Sequence, residues 1–235
     1  MTSDNAYHGD VGDYFARLAG DSPYNAFTDR PAMLELAGEV AGLRLLDVGC
    51  GAGNYAAELL DRGARVMGID GSATLLGHAR DRVGDRAELR LHDLDTPLDF
   101  AADAAFDGAV CALVYHHIRE RARLLAELRR VLRPGGWLVL STSHPTSDWR
   151  HHGGSYYDES WVDFRLPDPS ITVHLQRLTL ETLVNEWLSA GFTLERLVEP
   201  RPLPRLREID ADRYERLTRE PSFLAVRLRR PPGDS

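Results

Sequence analysis

Short apolar runs, most of them closed by an acid or a turn, alternate along this chain with stretches whose apolar residues recur at helical spacing. Residues 45–48, 64–70, 87–91, 106–113 and 137–141 predict strands, and 192–198 and 223–228 add late ones separated by a long loop. Between them, Leu75, Leu76, Ala79 and Val83 form an apolar stripe that Ser72 can cap and Gly84 can end. Leu124, Leu125, Leu128, Val131 and Leu132 form a second stripe, halted by Pro134. Leu180, Leu183, Val184, Trp187 and Leu188 form a third, begun by Thr179 and followed by Gly191, and a further helix opens near Asp29 and Pro31. We read these stripes as packing faces. Strict alternation of strand and helix argues for a parallel sheet covered on both sides, and right-handed crossovers restrict how it can wind.

The strand that holds Leu45, Leu46, Asp47 and Val48 runs directly into Gly49-Cys50-Gly51-Ala52-Gly53-Asn54. Glycines allow positive φ and let a ligand approach the main chain, and the amides beyond them open a helix whose N-terminus donates hydrogen bonds. A dinucleotide fingerprint, G-x-G-x-x-G, would need glycine where Asn54 stands; the spacing here is G-x-G-x-G, with Asp47 just upstream. The next strand ends in Asp70, about twenty residues past the glycines, where such folds place a carboxylate on ribose hydroxyls. The third strand ends in His92-Asp93-Leu94, the fourth is followed by Val114-Tyr115-His116-His117, and the fifth is announced by Arg133-Pro134-Gly135-Gly136. Ligands of open α/β sheets sit outside the carboxyl ends of the strands, and these motifs fall there.

In these motifs, their order and their spacing, the chain resembles the class I S-adenosylmethionine-dependent methyltransferases, in the small-molecule branch called the methyltransferase domain 11/25 group. The resemblance is dense over 43–141 and general outside it. It implies an α/β, Rossmann-like doubly wound sheet, with seven strands in the order 3-2-1-4-5-7-6 and strand 7 antiparallel. A single domain is expected over 1–235, with 1–30 as a cover for cofactor and substrate and 144–178 as a substrate-lid insertion. The implied cofactor is S-adenosyl-L-methionine and the product S-adenosyl-L-homocysteine. Contacts to it are expected from Asp47, Gly49, Cys50, Gly51, Asn54, Asp70, Gly71, Asp93, Leu94 and Leu113, with Asp93 facing the adenine amino group and Leu94 lining the ring. Tyr14, Tyr24 and Arg30 are expected against its methionine end or against the substrate. Gly71, where a larger side chain is more frequent, and Cys111-Ala112, where small polar residues are common, depart from the family's pattern.

Composition narrows the partners. The formal charge is −8, with acids and bases interleaved, which disfavours nucleic acid and anionic membrane. No apolar stretch is long enough to span a bilayer, so a cytoplasmic protein is expected, as monomer or homodimer. Cys50 and Cys111 read as small core residues without a disulfide framework. All 28 Lys+Arg residues are arginine, which removes any lysine Schiff base, Walker lysine or lysine general base. No histidines stand at H-x-x-x-H spacing, and no metal site is expected.

Methyl transfer needs an aligned and desolvated acceptor and, for a protonated acceptor, a base of near-neutral pKa. His116 and His117, past the fourth strand, and His144, past the fifth, are the candidates; each could instead simply pack its loop. His151-His152 reads as solvated loop. The stretch 144–170 reads as a long loop rich in Trp149, Tyr156, Tyr157, Trp161 and Phe164. These aromatics form either a pocket wall for a flat or cationic molecule or a satellite core that fastens the loop, and we expect Tyr14, Trp149, Tyr156 and Trp161 at the substrate. The expected activity is methyl transfer to a small organic acceptor, aromatic or heteroaromatic, at oxygen, nitrogen or carbon. Its rivals are an NAD(P)-dependent oxidoreductase, opposed by Asn54 and the lack of lysine, and a cofactor-binding member of the same fold that does not methylate.

Overall fold

The structure, a computed structural model, describes residues 7–165 and 172–233. The strands are β1 (Arg44–Val48), β2 (Arg65–Asp70), β3 (Glu88–Leu91), β4 (Phe106–Ala112), β5 (Leu132–Ser143), β6 (Trp161–Arg165), β7 (Thr172–Gln176), β8 (Thr193–Val198) and β9 (Phe223–Arg229). The helices are α1 (Gly9–Asp21), α2 (Arg30–Ala37), α3 (Asn54–Asp61), α4 (Ala73–Val83), α5 (Arg121–Val131), α6 (Pro145–His152), α7 (Leu180–Ser189), α8 (Leu206–Ile209) and α9 (Ala211–Arg219). A 7-stranded sheet has the order β3-β2-β1-β4-β5-β9-β8. The strands from β3 to β5 are parallel, and β9 runs antiparallel to both β5 and β8. With β8 and β9 as the sixth and seventh strands of that sheet, this is the expected winding.

Period-two alternation along β1 shows why both faces must be covered. Leu46 and Val48 join a core with Ile69, Leu125, Leu128 and Trp187, while Leu45 joins Met33, Leu59, Val66 and Trp137 on the opposite face. The order reversal lies at β1, which pairs with β2 through Asp47↔Gly68 and with β4 through Asp47↔Val110. The carboxyl end of β1 therefore opens onto the crevice between two oppositely wound halves.

Three stretches carry more structure than the sequence reading gives them. Within 144–170, α6 starts at Pro145, is capped by the His144 side chain accepting the Thr146 N–H, and ends at Gly153 with φ +71°. Then β6 pairs antiparallel with β7, Trp161 opposite Gln176 and Asp163 opposite His174, as a separate 2-stranded sheet. Residues 166–171 of that stretch, and 1–6 of the amino-terminal cover, lie outside the described residues. The expected loop between the last two strands carries α8 and α9, whose only buried residues are Leu206 and Leu217, too few to print an apolar stripe. The amino-terminal segment forms α1 and a π turn over Asn25–Asp29 that leads into α2. Among the described residues no helix is long and apolar enough to cross a membrane.

Candidate functional site

At the end of β1 the chain turns back because the amides of Gly49 and Cys50 both donate to Ile69 O, at 2.8 and 2.9 Å. Gly49, Gly51 and Gly53 take φ of +68°, +53° and +75°, a region that costs an L side chain free energy. A Cβ on Gly51 would meet nothing within 4 Å, so its face of the turn is open for close approach. A Cβ on Gly49 would meet Val114, so that residue is glycine for packing. Asp70 braces the turn: one carboxylate oxygen accepts the Gly51 N–H at 2.8 Å and the other the Ser72 N–H at 2.8 Å. A carboxylate has further lone pairs, so both oxygens can still accept from hydroxyls. Gly71 is the bend between Asp70 and the cap of α4, and Asn54 is the first residue of α3.

Beneath the turn, several acids are buried. Asp47 is 1 % exposed, and its Oδ2 has no hydrogen-bond partner among the described residues. Burial and the Asp70 charge push its carboxyl up to about 7, against the pull of the Ala56 amide. Asp29, also 1 % exposed, accepts the Tyr55 hydroxyl at 2.5 Å, leaves Oδ1 unpartnered among the described residues, and is raised to about 6, chiefly by burial. Asp70 is likewise raised by burial, and Cys50 beside it is a buried free thiol pushed up by burial and by Asp47 and Asp70. Such a constellation favours a ligand that brings positive charge and hydrogen-bond donors.

The remaining expected cofactor contacts fall into distinct places. Asp93, half-buried, accepts the Asp95 N–H at 3.0 Å, and Leu94 is buried in the core next to it. Leu113 takes φ +56°, strained for a leucine, at the point where the fourth strand ends. Arg30 donates to Ala19 O at 3.0 Å and, with Asn54, lines a cleft of about 760 Å³ between α1, α3 and α4. Tyr24 instead faces α9, its hydroxyl accepting from Arg216 and its ring flanked by Phe223. Tyr14 is half-buried on α1.

The three candidate histidines separate. His116 is buried, with Nδ1 at 2.9 Å from the Thr142 hydroxyl, and burial holds it well below the ordinary histidine range. His144 caps α6 and pairs through Nε2 with Glu199 at 3.0 Å, which makes it part of the scaffold. His117 differs. Its Nδ1 lies 2.7 Å from His174 O, a carbonyl that can only accept, so Nδ1 carries the hydrogen and Nε2 keeps its lone pair. The Tyr7 hydroxyl lies 3.4 Å from that Nε2, and burial holds the imidazole below its ordinary pKa. The aromatics of the lid mostly tie it down: the Trp149 indole donates to Gly154 O at 3.0 Å, Tyr156 Oη accepts the Leu180 N–H at 3.1 Å, and Trp161 stacks on His174 at 5.2 Å. Sequence reasoning gave no site role to Tyr7, known only as part of the amino-terminal cover, or to Asp29, read only as a helix start, and it had no access to the His174 carbonyl. Among the described residues no His/Cys/Asp/Glu group is arranged to hold a metal.

The sheet order, the glycine turn at its reversal and the acid closing β2 define the Rossmann-like fold of class I methyltransferases. The sequence model of the family described as "Methyltransferase domain" matches residues 46–140. A ubiquinone biosynthesis O-methyltransferase from Thiobacillus denitrificans is 35% identical over 44% of this chain and 45% of its own length. A malonyl-[acyl-carrier protein] O-methyltransferase from Serratia marcescens is 35% identical over 56% of this chain and 52% of its own. The match thus spans about half the length of these curated relatives. The crystal structure of an S-adenosylmethionine-dependent methyltransferase from Mesorhizobium loti superposes with a TM-score of 0.69 at 26% identity, covering 85% of this chain and 96% of that one. Residues 46–140 thus match a methyltransferase domain, and the fold is that of S-adenosylmethionine-dependent methyltransferases, whose cofactor is S-adenosylmethionine.

Proposed function

We propose that the protein transfers a methyl group from S-adenosylmethionine to a small organic acceptor, aromatic or heteroaromatic, at oxygen, nitrogen or carbon. The observation that carries this reading is the open face of Gly51 beside Asp70, above a buried Asp47 whose Oδ2 has no partner among the described residues. Glycine backbone, ribose acid and buried negative charge together fit a nucleoside with a cationic tail. When bound, S-adenosylmethionine supplies an electrophilic methyl on a sulfonium. The Gly49–Gly53 turn, Asp70, Asp93 and Leu94 hold the nucleoside, and Asn54 and Arg30 stand where they can meet a carboxylate. His117, held with its Nε2 lone pair towards Tyr7, takes the acceptor's proton. Residues 7–30, and 144–165 with 172–178, of the single domain cover the site and exclude water. The relatives named O-methyltransferases support oxygen as the acceptor atom. A cytoplasmic enzyme without nucleic-acid partners belongs to the same reading, supported by the net charge of −8.

Calorimetry with S-adenosylhomocysteine, with NAD as control, tests the cofactor half. Saturable binding of the first and none of the second is expected, and the reverse pattern would sink the proposal. Mass spectrometry of a small-molecule library incubated with enzyme and S-adenosylmethionine tests the acceptor half through the gain of one methylene.

A further inference from the structure

One side chain that ties several elements together around the candidate base lies outside the cofactor site. Arg121, the first residue of α5, is 10% exposed in its side chain. Its Nη1 donates to Ile118 O at 3.1 Å, directly after the turn Tyr115–His117, and to Gln176 Oε1 at 2.6 Å on β7. Its Nε and Nη2 grip Glu186 of α7 at 3.0 and 2.9 Å, and the Tyr115 hydroxyl donates to the same carboxylate at 2.5 Å. Gln176 in turn donates to Glu159 O at 2.9 Å, which fixes the lid strand.

We propose that Arg121 is a positioning residue for His117, clamping the turn that carries the imidazole to the lid strand whose carbonyl orients it. The inference rests on the reading of His117 as the acceptor's base. On one side Arg121 holds the residue after His117; on the other it holds Gln176, two residues beyond His174, whose carbonyl accepts the Nδ1 hydrogen at 2.7 Å. Losing the clamp frees β7 from the turn and lets the ring exchange tautomers, so that Nε2 no longer always presents its lone pair. A planar fork is needed because the acceptors lie in divergent directions, and a lysine ammonium cannot span them with the same geometry. The titratable groups around the His117 ring are Tyr7 from the amino-terminal segment, His116 beside it and His174 from β7.

The test is a long-range proton–nitrogen NMR spectrum of the histidine rings in the full chain, saturated with S-adenosylhomocysteine, with His117 assigned through His117→Gln. In the unmodified protein His117 is expected as the Nδ1–H tautomer, titrating below an ordinary histidine. Gln176→Leu and Arg121→Lys should shift it towards the Nε2–H form and move its midpoint further down, because the Nδ1–H bond to the His174 carbonyl favours the protonated ring. His144 should stay unchanged in all variants. A folded Gln176→Leu or Arg121→Lys protein with an unaltered His117 tautomer and titration overturns the proposal. The base assignment is read separately, from turnover of His117→Gln, so failure of that reading and failure of the clamp give different results.

Discussion

A Cβ on Gly49 would collide with a side-chain methyl of Val114. The loop carrying the candidate base is thereby seated on the turn expected to hold the cofactor. Val114 is followed by Tyr115, His116 and His117, and the Leu113 before it is held at φ +56° with its N–H on Ser141 O at 3.0 Å.

Gly49→Ala should therefore cost about 1–3 kcal/mol of stability through overpacking, beyond the strain of alanine at φ +68°. The same change in a Val114→Ala background should cost less, because the obstructing methyls are gone. Equilibrium denaturation of the four proteins measures the coupling. Equal costs in both backgrounds would mean that the two residues do not compete for one space.

Asp47 predicts a proton balance. Its carboxyl is raised to about 7 by burial and by Asp70, above its ordinary 3.8, so the folded protein binds the proton more tightly than the unfolded chain. Its contribution to stability is full below the ordinary carboxylate range and is lost as pH rises through 7. A cationic ligand reverses this preference, so S-adenosylhomocysteine, which keeps the ammonium group, should release protons on binding at about pH 6–7. Calorimetry in buffers of different ionisation enthalpy reads the release, and Asp47→Asn should abolish most of it. Proton uptake would mean that the carboxylate does not face the ligand.

The histidines should answer differently to alanine. His117→Ala is expected to lower kcat by roughly 10²-fold with cofactor affinity nearly intact. Because burial lowers its pKa, the acidic limb of the activity profile should lie below the ordinary histidine value of 6.5 and vanish in the variant. His116→Ala removes a buried partner of Thr142 and should cost about 1–3 kcal/mol of stability. His144→Ala removes the cap of α6, worth about 0.5–2 kcal/mol, and should leave turnover near normal. If His117→Ala keeps full turnover, the acceptor needs no base.

The parts of the fold legible in the sequence are those where a residue type answers a local demand. Continuous apolar runs mark β1 and β4, positive φ marks the glycines, and an acid closes β2, so the strands and the turn could be read, whereas the sheet order followed only from the resemblance to a known family. The lid could not be read. Its helix α6 buries only Pro145 and is capped by a histidine, a residue outside the usual cap set, and β6 shows its alternation in a stretch whose aromatics suggested a loop. Nor does any side chain announce that His117 is oriented by a main-chain oxygen, or that Arg121 joins Ile118 to Gln176, because those contacts exist only once distant elements have docked.

Asp70 performs two tasks, and one substitution should expose both. Its carboxylate accepts the N–H of Gly51 and of Ser72, so it fixes the turn and the start of α4 before any ligand arrives, and its remaining lone pairs are those a ribose would use. Asp70→Asn keeps the shape, but one end of the amide becomes a donor and must oppose one of those N–H groups. Asp70→Ala removes both acceptors. Each variant should bind S-adenosylhomocysteine more weakly by about 1–3 kcal/mol, a loss of roughly 5- to 150-fold in the dissociation constant. Each should also melt at a lower temperature without ligand, and alanine should not be milder than asparagine on that measure. Calorimetry and thermal denaturation separate the two effects. Weaker binding with an unchanged melting temperature would assign Asp70 to the ligand alone; unchanged binding with a lower melting temperature would leave it as a brace and remove it from the nucleoside site.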